Sequence, residues 1–155
     1  MSTISENIHI IPLALAPDAD RYNTDPTTDW IKCDGTVCFV IAEGAGGTGT
    51  AIVTLSNATT NTGTSTADIA FRYRLLTTAG GLDTWGAWQT ATASGVTPAA
   101  GAAKATLVEV YRDELTEGFD YVSLTLTESA DSPVDAAVFA LVDQSRKGVS
   151  PTTVI

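Results

Sequence analysis

Residues able to do chemistry are scarce in this 155-residue chain. There is one histidine, His9, and two cysteines, Cys33 and Cys38. A single histidine leaves a serine nucleophile without a base unless His9 itself serves. His9 lies in the run Ile8-His9-Ile10-Ile11, where strand alternation is expected to turn it away from Ile8 and Ile10, toward solvent. Two cysteines fall short of the four ligands zinc usually takes. Read with Asp34-Gly35 as a two-residue hairpin turn, Cys33 faces Thr36 and Cys38 faces Ile31, so the thiols do not meet. Both are expected to be reduced, with at least one buried as a small hydrophobe. The glycine-rich stretch 44–49 lacks the lysine of a phosphate-binding loop. No metal, no cofactor and no enzymatic activity are expected.

Basic residues are also few, 8 against 18 acidic ones, for a formal net charge of -10 and a pI near 4.2. A phosphate-binding surface needs clustered Lys and Arg, so nucleic acid is excluded as a partner. An anionic membrane surface is disfavoured for the same reason. No stretch reaches the ~18 apolar residues of a membrane helix. The apolar piece 8–16 has no basic flank and carries Glu6 and His9, so it reads as a first strand instead of a secretion signal. Folding in the cytoplasm is the expectation.

What the chain does contain is a series of short, Thr-rich, alternating segments broken by Gly, Asn, Asp and Pro. Its length fits one domain, 1–155. An N-terminal strand or arm occupies 1–15, where Pro12 suggests an edge position or a bend. The segment 16–29 is acidic and turn-forming. Thr36 to Glu43 is a compact run apolar on both sides, as in a strand partly buried on both faces. Thr50 to Ser56 alternates, and 57–66 reads as a long polar surface loop. The cleanest alternation is 69–75: Ile69, Phe71, Tyr73 and Leu75 on one side, Arg72 and Arg74 on the other. Strands are further expected near 84–90, 105–111, 119–128 and 136–142. Residues 112–117 read as one helical turn stopped by Gly118, and 144–155 is a polar tail. Eight or nine strands with at most one short helical turn predict an all-β fold, an antiparallel, jelly-roll-like sandwich.

Three clusters invite a functional reading. Asp18, Asp20, Asp25 and Asp29 have a spacing near that of a calcium loop, but Tyr22 and Asn23 stand where a ligand and the glycine belong, so a solvated turn is expected. Asp113, Glu114, Glu117 and Asp120 could pair as a glycosidase does. On one exposed turn they read instead as a charged face near a helix N-terminus. Arg72 and Arg74 on one sheet face could pair with acidic turns of the same subunit; an ion pair between sheets or between subunits is the favoured expectation. Trp85 and Trp88 face opposite sides of a regular strand, or one side if Gly86 forms a bulge. An exposed Trp marks a partner or sugar site, whereas for either residue taken alone packing in the core beneath the glycine-rich loop is the expectation.

The strings Ile69-Ala70-Phe71-Arg72-Tyr73-Arg74 and Asp83-Thr84-Trp85-Gly86-Ala87-Trp88, with Tyr121 to Glu128 and Ser132-Pro133-Val134, resemble the small β-sandwich decoration, or capsid cement, proteins of tailed bacteriophages. The resemblance covers about residues 30–146, with Cys33, Cys38 and Ser123 as departures. It implies a virion structural protein, made in the host cytoplasm, that binds the assembled major capsid protein on the shell surface and self-associates as a homotrimer or homodimer. It brings no catalytic residue. Arg72, Arg74, Trp85, Trp88, Ile8 and Ile10 are the expected interaction residues, the last two because a terminal strand can add to a neighbour's sheet edge. The competing expectation is a tail- or surface-associated carbohydrate-binding sandwich that uses the tryptophans.

Overall fold

The computed structural model describes residues 8–18, 20–44, 48–77, 84–99, 104–131 and 133–143. They form eleven strands in two sheets, every pairing antiparallel, and one turn of 3-10 helix, Arg112–Glu114. The strands are β1 (Ile8–Asp18), β2 (Ile31–Lys32), β3 (Thr36–Glu43), β4 (Thr50–Ala58), β5 (Ala67–Ile69) and β6 (Phe71–Thr77). They continue with β7 (Thr84–Trp85), β8 (Gln89–Ala91), β9 (Lys104–Tyr111), β10 (Tyr121–Ala130) and β11 (Ala136–Asp143). The large sheet has the order β1-β11-β3-β9-β6-β7, with β8 also paired to β6; the small sheet has the order β2-β10-β4-β5. The expected all-β sandwich is the observed fold.

The core lies between the sheets. Val37, Phe39 and Ile41 of β3, Val108 and Val110 of β9, and Phe71 and Tyr73 of β6 face Val53 and Leu55 of β4 and Val122, Leu124 and Leu126 of β10. Alternation put these residues inside. Burying one such Val, Leu or Phe side chain is worth about 1.5–3 kcal/mol.

The strand count exceeds the expected eight or nine because four pieces are only two or three residues long. The run 69–75 is not one strand. It breaks at Ala70: Ile69 pairs with Leu55 in the small sheet, whereas Phe71 pairs with Ala91 in the large one. The two inner faces look at the same core, so alternation continues unbroken through the switch. Asp34-Gly35 is not a hairpin turn either. β2 pairs with β10 and β3 with β11 and β9, so the chain crosses there from one sheet to the other.

Other local expectations also change. The expected surface loop 57–66 begins two residues later, because β4 runs to Ala58; within the loop Thr59 donates from its N–H to the Thr64 carbonyl at 3.1 Å. Trp30 packs against Gly63 of that turn, so closely that a Cβ there would lie 2.5 Å from the indole nitrogen. The helical turn ends at Leu115, and Gly118 (φ +83°) closes the turn after it. The acidic segment is not wholly solvated. Tyr22 is buried, its hydroxyl donates to the Glu43 carboxylate, and burial first and Glu43 second push its pKa far up. Residues 26–28 then run beside β10, through Leu126 N–H to the Pro26 carbonyl (3.0 Å) and Thr28 N–H to the Leu124 carbonyl (2.9 Å).

The sheet edges are short or interrupted. β1 borders the large sheet with Pro12 in mid-strand and register shifts on either side of Ala14. The opposite border is divided between β7 and β8, and β2 and β5 border the small sheet. Among the described residues no helix is long and apolar enough to cross a membrane.

Candidate interaction face

The two outer faces differ. That of the small sheet carries Thr54 and Ser56 of β4 and Ser123, Thr125, Thr127 and Ser129 of β10, a mostly hydroxyl surface suited to water, with Ile52 opposite Thr127. Ser123 is buried beneath the 26–28 segment, and its hydroxyl donates to the Thr28 carbonyl at 2.7 Å. The outer face of the large sheet is apolar over most of its width. β3 contributes Cys38, Val40 and Ala42; β11 contributes Ala137, Phe139 and Leu141; β9 contributes Ala105 and Leu107; β1 contributes Ile8, Ile10 and Pro12. A sheet face exposed to solvent ordinarily carries polar side chains, and an apolar patch of this extent marks a contact surface.

Register lays one row of side chains straight across this face: Ile10 beside Leu141, then Cys38, Glu109, Arg72 and Thr90. The next row holds Pro12, Phe139, Val40, Leu107 and Arg74. All six expected interaction residues therefore come to one face. Ile8 and Ile10 lie along its β1 border; Arg72, Arg74, Trp85 and Trp88 lie along its β6–β8 border.

The arginines do not behave alike. Arg72 meets Glu109 of the neighbouring strand and Glu114 of the 3-10 turn, each at 3.7 Å, and lies 4.4 Å over the Tyr111 ring. Its acids belong to its own sheet and to the acidic turn of the same chain, not to the other sheet. Arg74 stacks between two indoles, 5.0 Å from the Trp85 ring and 4.7 Å from that of Trp88. Each such cation–π contact is worth about 0.5–1 kcal/mol where partly exposed. Neither tryptophan is in the core. Both serve the outer face, which alternation alone left open between two arrangements.

His9 reverses its expected direction. It shares a side with Ile11, which is buried, while Ile8 and Ile10 take the outer face. Ile8, Ile10 and Ile11 offer an apolar residue to both sides, so alternation could not choose. The pairing of Ile11 with Ala140 decides.

An open pocket of about 470 Å³ indents the same face, lined by Ile8, Thr36, Cys38, Tyr111 and Leu141 with the carboxylates of Glu109 and Asp143. Cys38 is half-buried beside it as a free thiol; burial first and Glu109 second raise its pKa to about 11, so it is not an activated nucleophile. Cys33 is also free, fully buried, and raised to about 11 mainly by burial.

The acidic clusters are engaged locally. Glu114 accepts from the Tyr111 N–H at 2.8 Å, Arg112 pairs with Asp120, and Asp25 accepts from the Glu128 N–H at 2.7 Å. Among the described residues no group of three or more His, Cys, Asp or Glu side chains is disposed to hold a metal ion. The Asp18 side chain and residues 1–7 and 144–155 lie outside the described residues. Compared with known protein families, curated proteins and solved structures, the chain has no match.

Proposed function

We propose that this chain is a virion structural protein, a decoration or cement protein that binds an assembled capsid and stabilises it. The observation that carries the reading is the apolar outer face of the large sheet, on a chain whose charge otherwise keeps copies apart. The residues that resemble the decoration family, Arg72, Arg74, Trp85 and Trp88, lie along the border of that face. A ligand that binds only the assembled shell stabilises it by mass action, and many modest contacts suffice. Such work needs a rigid block with a docking surface and no catalytic group.

A carbohydrate-binding reading draws on Trp88, which is 42% exposed. The stack opposes it, because Arg74 already occupies a face of each indole. The deciding experiment is co-sedimentation of the pure chain with empty expanded heads of its own virus, beside an array of glycans. The expected result is saturable binding to heads and no glycan signal. Absence from purified particles would discard the shell reading.

A further inference from the structure

We propose that the outer face of the large sheet is covered by the same face of a second copy, the two related by a twofold axis parallel to the strands. The proposal rests on the same apolar face that carries the shell reading, and gives that face a second copy as its occupant in solution.

β3 and β11 are apolar on both sides. Phe39 and Ile41 face the core, whereas Val40, Phe139 and Leu141 face outward. Strands of that composition normally have cover on both sides. Val40, Phe139 and Leu141 remain partly exposed on the outer side, while Leu107 of the same face is buried among its neighbours.

Size and charge both fit a second copy. Six strand positions at about 4.8 Å and seven residues at about 3.4 Å make a face on the order of 700 Å² before side-chain relief. A standard stable interface takes about 800 Å² from each partner. The net charge of -10 would hold like copies apart across an acidic surface. This face nearly cancels its charges, with Arg72 and Arg74 against Glu109, Asp143 and, at the border, Glu114.

The distribution of those groups selects the axis. Face-to-face pairing about an axis perpendicular to the strands would lay β6 on β6 and bring the arginines of both copies together. An axis parallel to the strands lays β6 and β8 of one copy over β11 and β1 of the other. Arg72 then approaches the pocket holding Asp143. The two most exposed large apolar side chains of the described residues, Ile10 (59%) and Trp88 (42%), stand at opposite borders of the face. This axis brings each against the other's border, twice per dimer. An exposed aromatic meeting an apolar border is the composition of an interface hot spot.

The test uses the full chain. Sedimentation velocity across ~100-fold in concentration should show a reversible species of two 16.1 kDa chains. Ile10→Asp, at an exposed position, should weaken that dimer by ~10-fold or more while leaving the thermal melt of the monomer intact. In a Cys38→Ser background, a mixture of Ile10→Cys and Thr90→Cys chains should cross-link between unlike copies, because both positions lie in the same row at opposite borders. A monomer at every concentration overturns the proposal, as does a dimer indifferent to Ile10→Asp. Cross-linking of Ile10→Cys chains to one another overturns the axis. Capsids enter none of these measurements, so the dimer is tested apart from shell binding; a dimer that stays closed on added heads would bury the face argued for the shell, whereas a monomer in solution that binds heads would leave the shell reading standing.

Discussion

Asn57 is fully buried in a position of β4 that faces the core. With its amide oriented to satisfy both ends, the nitrogen donates to the Ala67 carbonyl at 2.9 Å. The oxygen accepts from the Thr116 N–H at 2.8 Å and from its hydroxyl at 3.0 Å. One side chain thus anchors both β5 and the turn after the 3-10 helix. Asn57→Leu would bury orphaned donors and acceptors, and should cost about 2–4 kcal/mol in urea denaturation. Glu128 offers the opposite case. Burial of its carboxyl first, then the neighbouring Asp131, Asp20 and Asp25, raise its pKa above the ordinary value. A carboxyl raised in the folded state binds its proton more tightly folded than unfolded. Its contribution therefore favours folding at pH below its ordinary pKa and turns against folding as pH climbs past it. Glu128→Gln should raise the melting temperature at pH 7 and lose that advantage near pH 4; an equal gain at both would contradict this account. Neither role is written in the sequence. An asparagine in a Thr-rich alternating segment looks like any outward polar residue, and Glu128 shows no neighbours until β10 meets the 20–25 turn.

At the level of the strand, the crossing from β8 to the small sheet depends on one glycine. Gly95 has φ +82°, its N–H donates to the Thr92 carbonyl, and the next residue, Val96, exchanges two hydrogen bonds with Val53 at 2.8 and 3.0 Å. A Cβ at Gly95 would lie 2.3 Å from the Val53 carbonyl oxygen. Both the dihedral and the contact are with backbone, so nothing flexible can yield. Gly95→Ala should cost about 2 kcal/mol or more, while Gly35→Ala, with nothing within 4 Å of its Cβ and no left-handed dihedral, should cost far less. Thermal melts of the two variants make the comparison. Most long strands were legible to within a residue or two: 36–43 is β3 as read, and 105–111 and 136–142 each gain one residue, whereas β1 runs three residues past its expected end at 15. What alternation could not reveal is sheet membership. Ile69 and Phe71 both point at the core, yet they belong to opposite layers.

For the molecule as a whole, the sandwich followed from alternation and turn residues, because a period of two has few ways to bury itself. The candidate face followed only in fragments. Arg72 and Arg74 were placed on one side of a strand, and Ile8 and Ile10 on one side of another. Their meeting across five strands depends on the order β1-β11-β3-β9-β6, which no local pattern encodes. The apolar character of that face was half visible in 36–43, a run with no polar side.

The borders of the two sheets carry a consequence of their own. An unbroken rim of free amides is what lets β-proteins polymerise end on end, each molecule extending the last. Here one rim is spoiled by a proline and register slips, another is split into two stubs, and the remaining two are three residues or shorter. At high concentration the edges of the described residues offer poor templates for fibril growth, which favours closed, countable associations.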